Sequence, residues 1–262
     1  MRLLIPLCAA LLAIPATAQS DADQKALESL RQNGASIGSA MGDMKIVDDN
    51  DPFEPNTFIG SFRMEIHTFK NGEEDKESPM DMSLWSSSDK TLFSFNSAKT
   101  QGTDIKMLND LKGKWSYIMM ATSNGNKTAM KTHKKKVIYT GDEKGKEKDM
   151  SFTVTKETKT IDGHLCKKVI ARNEEGTWTA WVAQDIPTPF ADLLRSMRQP
   201  GQPDRFKSWD GLNGFPMEMT SESIDGKEKS TMYTKDLQLG PVDEHIFSLD
   251  GYKMMEIPGM GQ

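Results

Sequence analysis

The sequence predicts a mainly β fold, in which an antiparallel sheet packs with one or two helices. From residue 57 onward, apolar and polar side chains alternate with a period of two, as in strands that bury one face. The alternating runs are short, and polar turns such as Asn71-Gly72 and Asp225-Gly226 separate them. The spacing of an amphipathic helix is convincing in only one internal segment of the sequence. Together these observations favour a meandering sheet over alternating β and α units.

The first 18 residues have the pattern of a secretory signal peptide. Arg2 gives a basic start, residues 3–14 are mostly apolar, and residues 16–18 (ATA) supply the small side chains that precede a cleavage site. A membrane anchor fits less well, because the apolar stretch is too short to span a bilayer and two prolines interrupt it. We therefore expect residues 1–18 to be removed, an exported protein that is periplasmic or secreted, and no transmembrane segment after cleavage.

Residues 19–56 are predicted to form an N-terminal helix and a linker. Residues 22–32 have a helix-favouring composition, and Ser20 stands at the start of this segment. Three glycines and the acidic sequence DDNDP at residues 48–52 follow, which is typical of a loosely ordered connection. Residues 57–262 are predicted to form one antiparallel β domain, a length that suits a single sandwich or barrel.

The predicted elements follow one another in order along this domain. Phe190, Leu193, Leu194 and Met197 have the i, i+3, i+4, i+7 spacing of the internal helix, which Pro200-Gly201 ends. A charged loop at residues 140–150 divides the strands into two groups. The predicted strands lie at residues 58–66, 80–84, 91–95, 105–107, 115–119, 129–131, 152–154, 165–171, 177–183, 215–223, 229–237 and 247–252.

Composition and charge argue against several classes of function. The formal net charge of −5 gives no electrostatic reason to expect a nucleic-acid partner. The four histidines are scattered without the paired spacing of zinc ligands, so we expect no metal and no cofactor. Because Cys8 belongs to the predicted signal peptide, Cys166 cannot form an internal disulfide in the mature chain. We interpret it as a small buried strand residue rather than a nucleophile.

Methionine is unusually frequent, with 18 residues in the chain. Met80 with Met82, and Met217 with Met219, form M-x-M pairs that place both thioethers on one face of a strand. Such soft ligands can hold Cu(I), so a copper-handling protein is an alternative, which would lose Cu(I) affinity when Met217 and Met219 become leucine. We favour packing, because methionine fills irregular apolar space and no histidine or cysteine accompanies the pairs.

Three short segments resemble a known family. Residues 160–168 (TIDGHLCKK), 181–186 (WVAQDI) and 247–252 (FSLDGY) are similar to motifs of exported bacterial proteins that share domain of unknown function 4412. The resemblance covers roughly residues 57–257. It implies a fold similar to the LolA-like lipoprotein carriers, a strongly curved antiparallel half-barrel that wraps around helices and leaves an apolar cavity. It implies no catalytic residues.

The hypothesis that follows is a non-catalytic envelope or periplasmic protein that binds an apolar or lipid-like ligand, with a lipid or a lipoprotein as its partner. Each buried CH₂ group contributes about 0.8 kcal/mol, so no covalent chemistry is needed to hold an acyl chain. A structural or partner-binding envelope protein is a further alternative and would bind no such ligand. The candidate lining residues of the cavity are Phe62, Met64, Met82, Phe93, Phe95, Met107, Tyr117, Met217 and Met219.

A secreted hydrolase is a less favoured alternative, and it can be tested at Ser36. Residues 34–38 (GASIG) match the G-x-S-x-G nucleophile motif, which requires a strand before the serine and a helix after it. Here a helix is predicted to precede the serine. We therefore expect the parent protein and the Ser36→Ala variant to hydrolyse a p-nitrophenyl ester at the same background rate. Activity of the parent that the variant lacks would establish the hydrolase.

Overall fold

The structure, a computed structural model, consists mostly of β-strands in the part of the chain that it describes, and the prediction of a mainly β fold with a curved antiparallel sheet is confirmed. The predicted signal peptide, the N-terminal helix, Ser36 and the predicted internal helix lie outside the described residues. The described residues are 44–96, 103–139, 151–174, 176–186 and 214–256.

The strands are joined mainly by tight turns, and a short 3₁₀ helix (Glu244–Phe247) follows the last long strand. Among the described residues, no helix has the length and apolar character needed to cross a membrane. The strands are β1 (Met44–Asp48), β2 (Gly60–Lys70), β3 (Glu73–Glu74), β4 (Met80–Ser86), β5 (Lys90–Asn96), β6 (Thr103–Asp110), β7 (Trp115–Thr122), β8 (Lys127–His133), β9 (Lys135–Tyr139), β10 (Ser151–Ile161), β11 (His164–Asn173), β12 (Gly176–Ala183), β13 (Phe215–Ser223), β14 (Glu228–Leu239) and β15 (Lys253–Glu256).

One large sheet contains all of these strands except β1 and β9. Its neighbours follow the order β10-β11-β12-β13-β14-β2-β4-β5-β6-β7-β8-β15, with β3 beside β2. All its described pairs are antiparallel except that of β15 with β8, which is parallel. A hairpin turn at Asp162-Gly163 joins β10 to β11, and both residues have the positive φ (48° and 86°) that a type I′ turn requires.

A small second sheet pairs β1 with β9, although the sequence predicts a linker over the β1 segment. Asp49 connects this sheet to the large one. Its backbone N–H donates to the Lys134 carbonyl over 2.8 Å, and its buried carboxylate lies 3.4 Å from Lys114 Nζ and 3.3 Å from Lys134 Nζ. Burial alone would raise the pKa of Asp49, but the Asp51 amide and the two lysines hold that pKa below its usual value.

The larger core lies on one side of the large sheet, which we call the inner face. It extends from β10 to β6, with side chains from every strand between them. At its centre the rings of Phe58, Phe62 and Phe215 meet, with centroid separations of 5.4 to 6.0 Å. Ring pairs at such distances gain stability beyond the area that they bury.

A second cluster lies on the opposite side of β4–β8, which we call the outer face. Leu92, Leu108 and Met119 are buried there beneath residues 242–252, which include Phe247 of the 3₁₀ helix. Lys90 supports this cover, because its Nζ lies 2.9 Å from Glu244 Oε2 and 5.7 Å from the Phe247 ring centroid. The protein's own chain therefore covers the apolar part of the outer face.

Three irregularities in strand pairing interrupt one half of the sheet. The register shifts at 154/158 between β10 and β11, at 181/182 between β12 and β13, and at 235/238 between β14 and β2. Bulges of this kind bend a strand and increase its twist. Cys166 and Val169 of β11, three residues apart, both belong to the inner core, which strict alternation would not allow.

We expect Phe215→Ala to lower the free energy of unfolding by about 3–5 kcal/mol, because it leaves a cavity between the Phe58 and Phe62 rings. Urea denaturation followed by tryptophan fluorescence measures this change. Phe53→Ala is the matched control: the Phe53 side chain is 38% exposed, and its removal should change stability by no more than about 0.5 kcal/mol. Equal losses in the two variants would contradict this description of the core.

Candidate ligand-binding face

Eight of the nine predicted lining residues lie together on the inner face. Those nearest its centre are fully buried, while Phe95, Met107 and Met219 are half-buried and pack against them. Ligand binding by these residues stays a prediction. The buried members are Phe62, Met64, Met82, Phe93 and Met217.

Tyr117 is the exception, and its expected position needs correction. The register of β6 with β7 places Ile118 opposite Met107 on the inner face and Tyr117 opposite Leu108 on the outer face. Tyr117 packs there with the second cluster, where burial and then the charge of Asp110 raise the pKa of its hydroxyl. The alternation of residues 115–119 predicts a strand but does not tell which set of side chains faces inward.

Two rows of apolar side chains cross the inner face from strand to strand. Their burial decreases from β2 to β7, and Met130 on β8 is buried again. The members on β2 and β4 are buried, whereas those on β6 and β7 are half-buried. We name the half-buried part, Phe95, Ile105, Met107, Ile118 and Met120, the open apolar patch. Successive partners are Phe62, Leu84, Phe93, Met107, Ile118 and Met130 in the first row, and Met64, Met82, Phe95, Ile105 and Met120 in the second.

Methionines are concentrated on the inner face. The two M-x-M pairs both lie there, but β14 and β2 separate their strands, so the pairs are about 14 Å apart across a sheet with ~4.8 Å spacing. Aromatic and aliphatic side chains surround each pair, which is the setting in which methionine fills space. The methionines of this face are Met64, Met80, Met82, Met107, Met120, Met130, Met217, Met219 and Met232.

Charge is confined to the outer face of β5–β8. Every lysine, aspartate and histidine of these strands alternates with an inward-facing neutral residue. The inner face therefore combines the open apolar patch with neutral polar side chains at the strand ends. The outward charged residues are Lys90, Asp104, Lys106, Asp110, Lys127, Lys131 and His133.

Cys166 is buried in β11, as its interpretation as a small strand residue requires. Its thiol lies 3.5 Å from the backbone oxygen of His164. Burial, followed by the charges of Asp185 and Glu218, raises the pKa of this thiol. A thiol in such surroundings stays protonated at neutral pH and is a poor nucleophile.

The described histidines lie apart and take part in separate pairs. His67 Nδ1 lies 2.6 Å from Glu74 Oε1, and His67 Nε2 lies 3.2 Å from Glu65 Oε1. His164 pairs with Asp185 at 2.9 Å on a different strand. Within the described ranges, no group of three or more His, Cys, Asp or Glu side chains is arranged to hold a metal ion.

Comparison with known proteins assigns no family to the chain. No family model matches it, and no curated protein is similar to it. Among solved structures it is similar to PNGF-II, with 14% identity and a TM-score of 0.33 over 75% of this chain. The protein spans only 31% of the PNGF-II chain.

Two further solved structures are similar to the chain over most of their own length. A DUF1329 family protein from Desulfovibrio piger is 11% identical, with a TM-score of 0.24, over 75% of this chain and 92% of its own. A putative outer membrane lipoprotein-sorting protein domain from Vibrio parahaemolyticus is 12% identical, with a TM-score of 0.22, over 72% of this chain and 88% of its own. These TM-scores are too low to assign a function.

The contacts of His67 with Glu74 and Glu65 predict a pH-dependent contribution to the stability of the fold. Its hydrogen bonds, first with Glu74 and then with Glu65, raise the pKa of His67. A histidine with a raised pKa stabilises the fold fully below its unfolded pKa of about 6.5, and this contribution is lost as pH rises through the folded pKa. We therefore expect His67→Gln to lower the urea midpoint more at about pH 6 than at about pH 9. Glu74→Gln should remove most of the same pH-dependent difference in the urea midpoint. If His67→Gln lowers the urea midpoint equally at both pH values, the pairing of His67 with the two glutamates does not stabilise the fold in this way.

Proposed function

We propose that the protein is a non-catalytic binding protein of the bacterial envelope that holds an apolar or lipid-like ligand against the open apolar patch. One observation carries the proposal. Five large apolar side chains lie side by side on adjacent strands, are only half-buried, and share a face without charge. Contiguous apolar area that is only partly buried is a candidate binding surface in a soluble protein.

The free energy of such binding comes from removing apolar surface from water. At about 0.8 kcal/mol per CH₂, a twelve-carbon chain gains on the order of ten kcal/mol before the costs of ordering are subtracted. A bilayer offers the same chain a comparable gain. Transfer between protein and membrane is therefore close to balanced, which is the condition that a carrier needs.

Methionine suits this surface to ligands of varied shape. Met107 and Met120 occupy the open apolar patch, and each has an unbranched, flexible side chain with a polarizable sulfur. Met82 and Met64 lie directly opposite each other at the buried end of the second apolar row. The face can therefore repack around a bound chain more readily than one built of β-branched residues.

The envelope location rests on the sequence of residues 1–18. Its basic, apolar and small-residue segments are those of an export signal. Within an envelope, the abundant apolar ligands are lipids and the acyl chains of lipoproteins, which matches the ligand class that the open apolar patch favours.

Met107→Gln tests the proposal, because it keeps the length of the side chain and places an amide in the open apolar patch. We expect it to weaken the binding of Nile red, a neutral apolar dye, by about ten-fold, since an unsatisfied buried amide costs about 1–3 kcal/mol. Fluorescence titration gives the dissociation constants. Lys106→Gln is the matched control on the outer face and should leave dye binding unchanged.

Thermal unfolding of each variant separates loss of binding from loss of fold, and Met120→Gln repeats the test at an adjacent position. Native mass spectrometry of protein purified from its own envelope, followed by lipid extraction, provides an independent readout. A folded protein that carries no apolar ligand and binds no Nile red would exclude the proposed function and favour a structural or partner-binding role.

A further inference from the structure

Next to the open apolar patch, neutral polar side chains form a row across the inner face. Each member is the cross-strand partner of the next, and each lies two residues along its strand from a member of the first apolar row. At about 3.3 Å per residue, the two rows are about 7 Å apart. We call these side chains the polar row: Thr91, Asn109, Ser116 and Thr132.

Hydrogen bonds within the polar row orient the Asn109 carboxamide. Ser116 Oγ donates to Asn109 Oδ1 over 2.7 Å, whereas Asn109 Nδ2 lies 3.5 Å from Thr91 Oγ1. The first is a good hydrogen bond, and the second is at the limit of one. The carboxamide oxygen is thus held by Ser116, while the NH₂ group, with two hydrogens to donate, makes only a long contact among the described residues.

The polar row is accessible from the inner face. Asn109, Ser116 and Thr132 are half-buried, and only Thr91 at the β5 end is fully buried. Thr132 Oγ1 makes a long contact of 3.5 Å with the Ser116 carbonyl, so its hydroxyl can also accept a better bond from a ligand. The row therefore presents a carboxamide and hydroxyls beside an apolar surface.

The charges nearest to the polar row either point away from it or are paired with each other. Lys114 and Lys134, each two residues from a member of the row, both contact the Asp49 carboxylate, at 3.4 and 3.3 Å. Asp110 follows Asn109 but faces outward, where Oδ1 accepts the Gly113 N–H over 2.6 Å. Lys131 precedes Thr132 and also faces outward, with Nζ 3.7 Å from the centroid of the Trp115 ring. Within β5–β8, no described residue places a charge on the inner face, and the two lysine ammonium groups next to it already contact Asp49.

We infer that the ligand is an amphiphile with an uncharged, hydrogen-bonding head group, an amide, alcohol or ester, which binds the polar row while its chain covers the open apolar patch. This inference rests on the proposed function and narrows its ligand class. An amide or hydroxyl exchanges its hydrogen bonds with water for bonds with Asn109 and Thr132. A carboxylate would lose hydration and would have to compete with Asp49 for the nearest lysines, which is more costly.

Displacement of bound Nile red by three compounds with the same twelve-carbon chain tests the inference. Dodecanamide, dodecanol and dodecanoate are compared at about pH 8, where the carboxylate is ionised. We expect half-displacement by dodecanamide and by dodecanol at concentrations about ten-fold lower than by dodecanoate, since an uncompensated charge costs at least as much as an unsatisfied hydrogen bond.

Asn109→Leu removes the carboxamide at nearly constant volume, and it should reduce the preference for dodecanamide over dodecanoate to about two-fold or less. Asn96→Leu is the matched control, because Asn96 is exposed at the end of β5 and faces outward; it should preserve the preference. Thr132→Val, which is isosteric, provides a second variant if Asn109→Leu does not fold.

The outcomes separate the inference from the proposed function. If dodecanoate displaces Nile red as well as dodecanamide does, the inference is wrong although the proposed function stands. The inference is also wrong if the preference survives in both Asn109→Leu and Thr132→Val. If the folded protein binds neither Nile red nor any of the three compounds, both the inference and the proposed function are wrong.

Discussion

The separation of charged from neutral side chains across the two faces of β5–β8 is the constraint on which the rest of the structure depends. Successive side chains of a strand face opposite ways, so a register shift of one residue would exchange the two sets completely. Such a shift would place Lys106 where Met107 now lies and bury its ammonium beside Phe93. The pairing of Leu92 with Leu108 on one face and of Phe93 with Met107 on the other therefore holds a single register.

The two faces of β5–β8 also differ in their cover, because a described segment of the chain packs on the outer one. Residues 242–252 lie on the apolar part of the outer face, where Phe247 and Tyr252 pack. On the inner face, burial decreases from β2 toward β7, and the open apolar patch is only partly buried. The alternation of side chains along β5–β8 places the charged residues on the outer face. It therefore also keeps these charges away from the open apolar patch, the proposed ligand surface.

Much of this architecture can be predicted from local sequence, and the failures have physical causes. Regular alternation in β2, β4 and β5 correctly places Phe62, Met82 and Phe93 together. It cannot place Tyr117, because the inward set of β7 is chosen by its pairing with β6. The strand β1 is not predicted because its partner, β9, lies far along the chain and supplies the pairing that its short sequence does not indicate.

The polar row is not predicted for a similar reason: its members belong to four strands, and only their register brings them into line. Alternation also fails in β11, next to the shift in its pairing with β10, where Cys166 and Val169 share a core despite an odd separation. In both cases long-range pairing decides the result, and a period counted along one strand contains no information about it.

The parallel strand β15 has a consequence for how the molecule is made. It pairs with β8 and comes after every other described strand in the chain. Until it is synthesised, the backbone amides and carbonyls of β8 have no partner on that side, and an unpaired edge is a template for joining another molecule. A growing chain thus carries an unpaired edge until β15 has been made, and the risk of aggregation is greatest before that point.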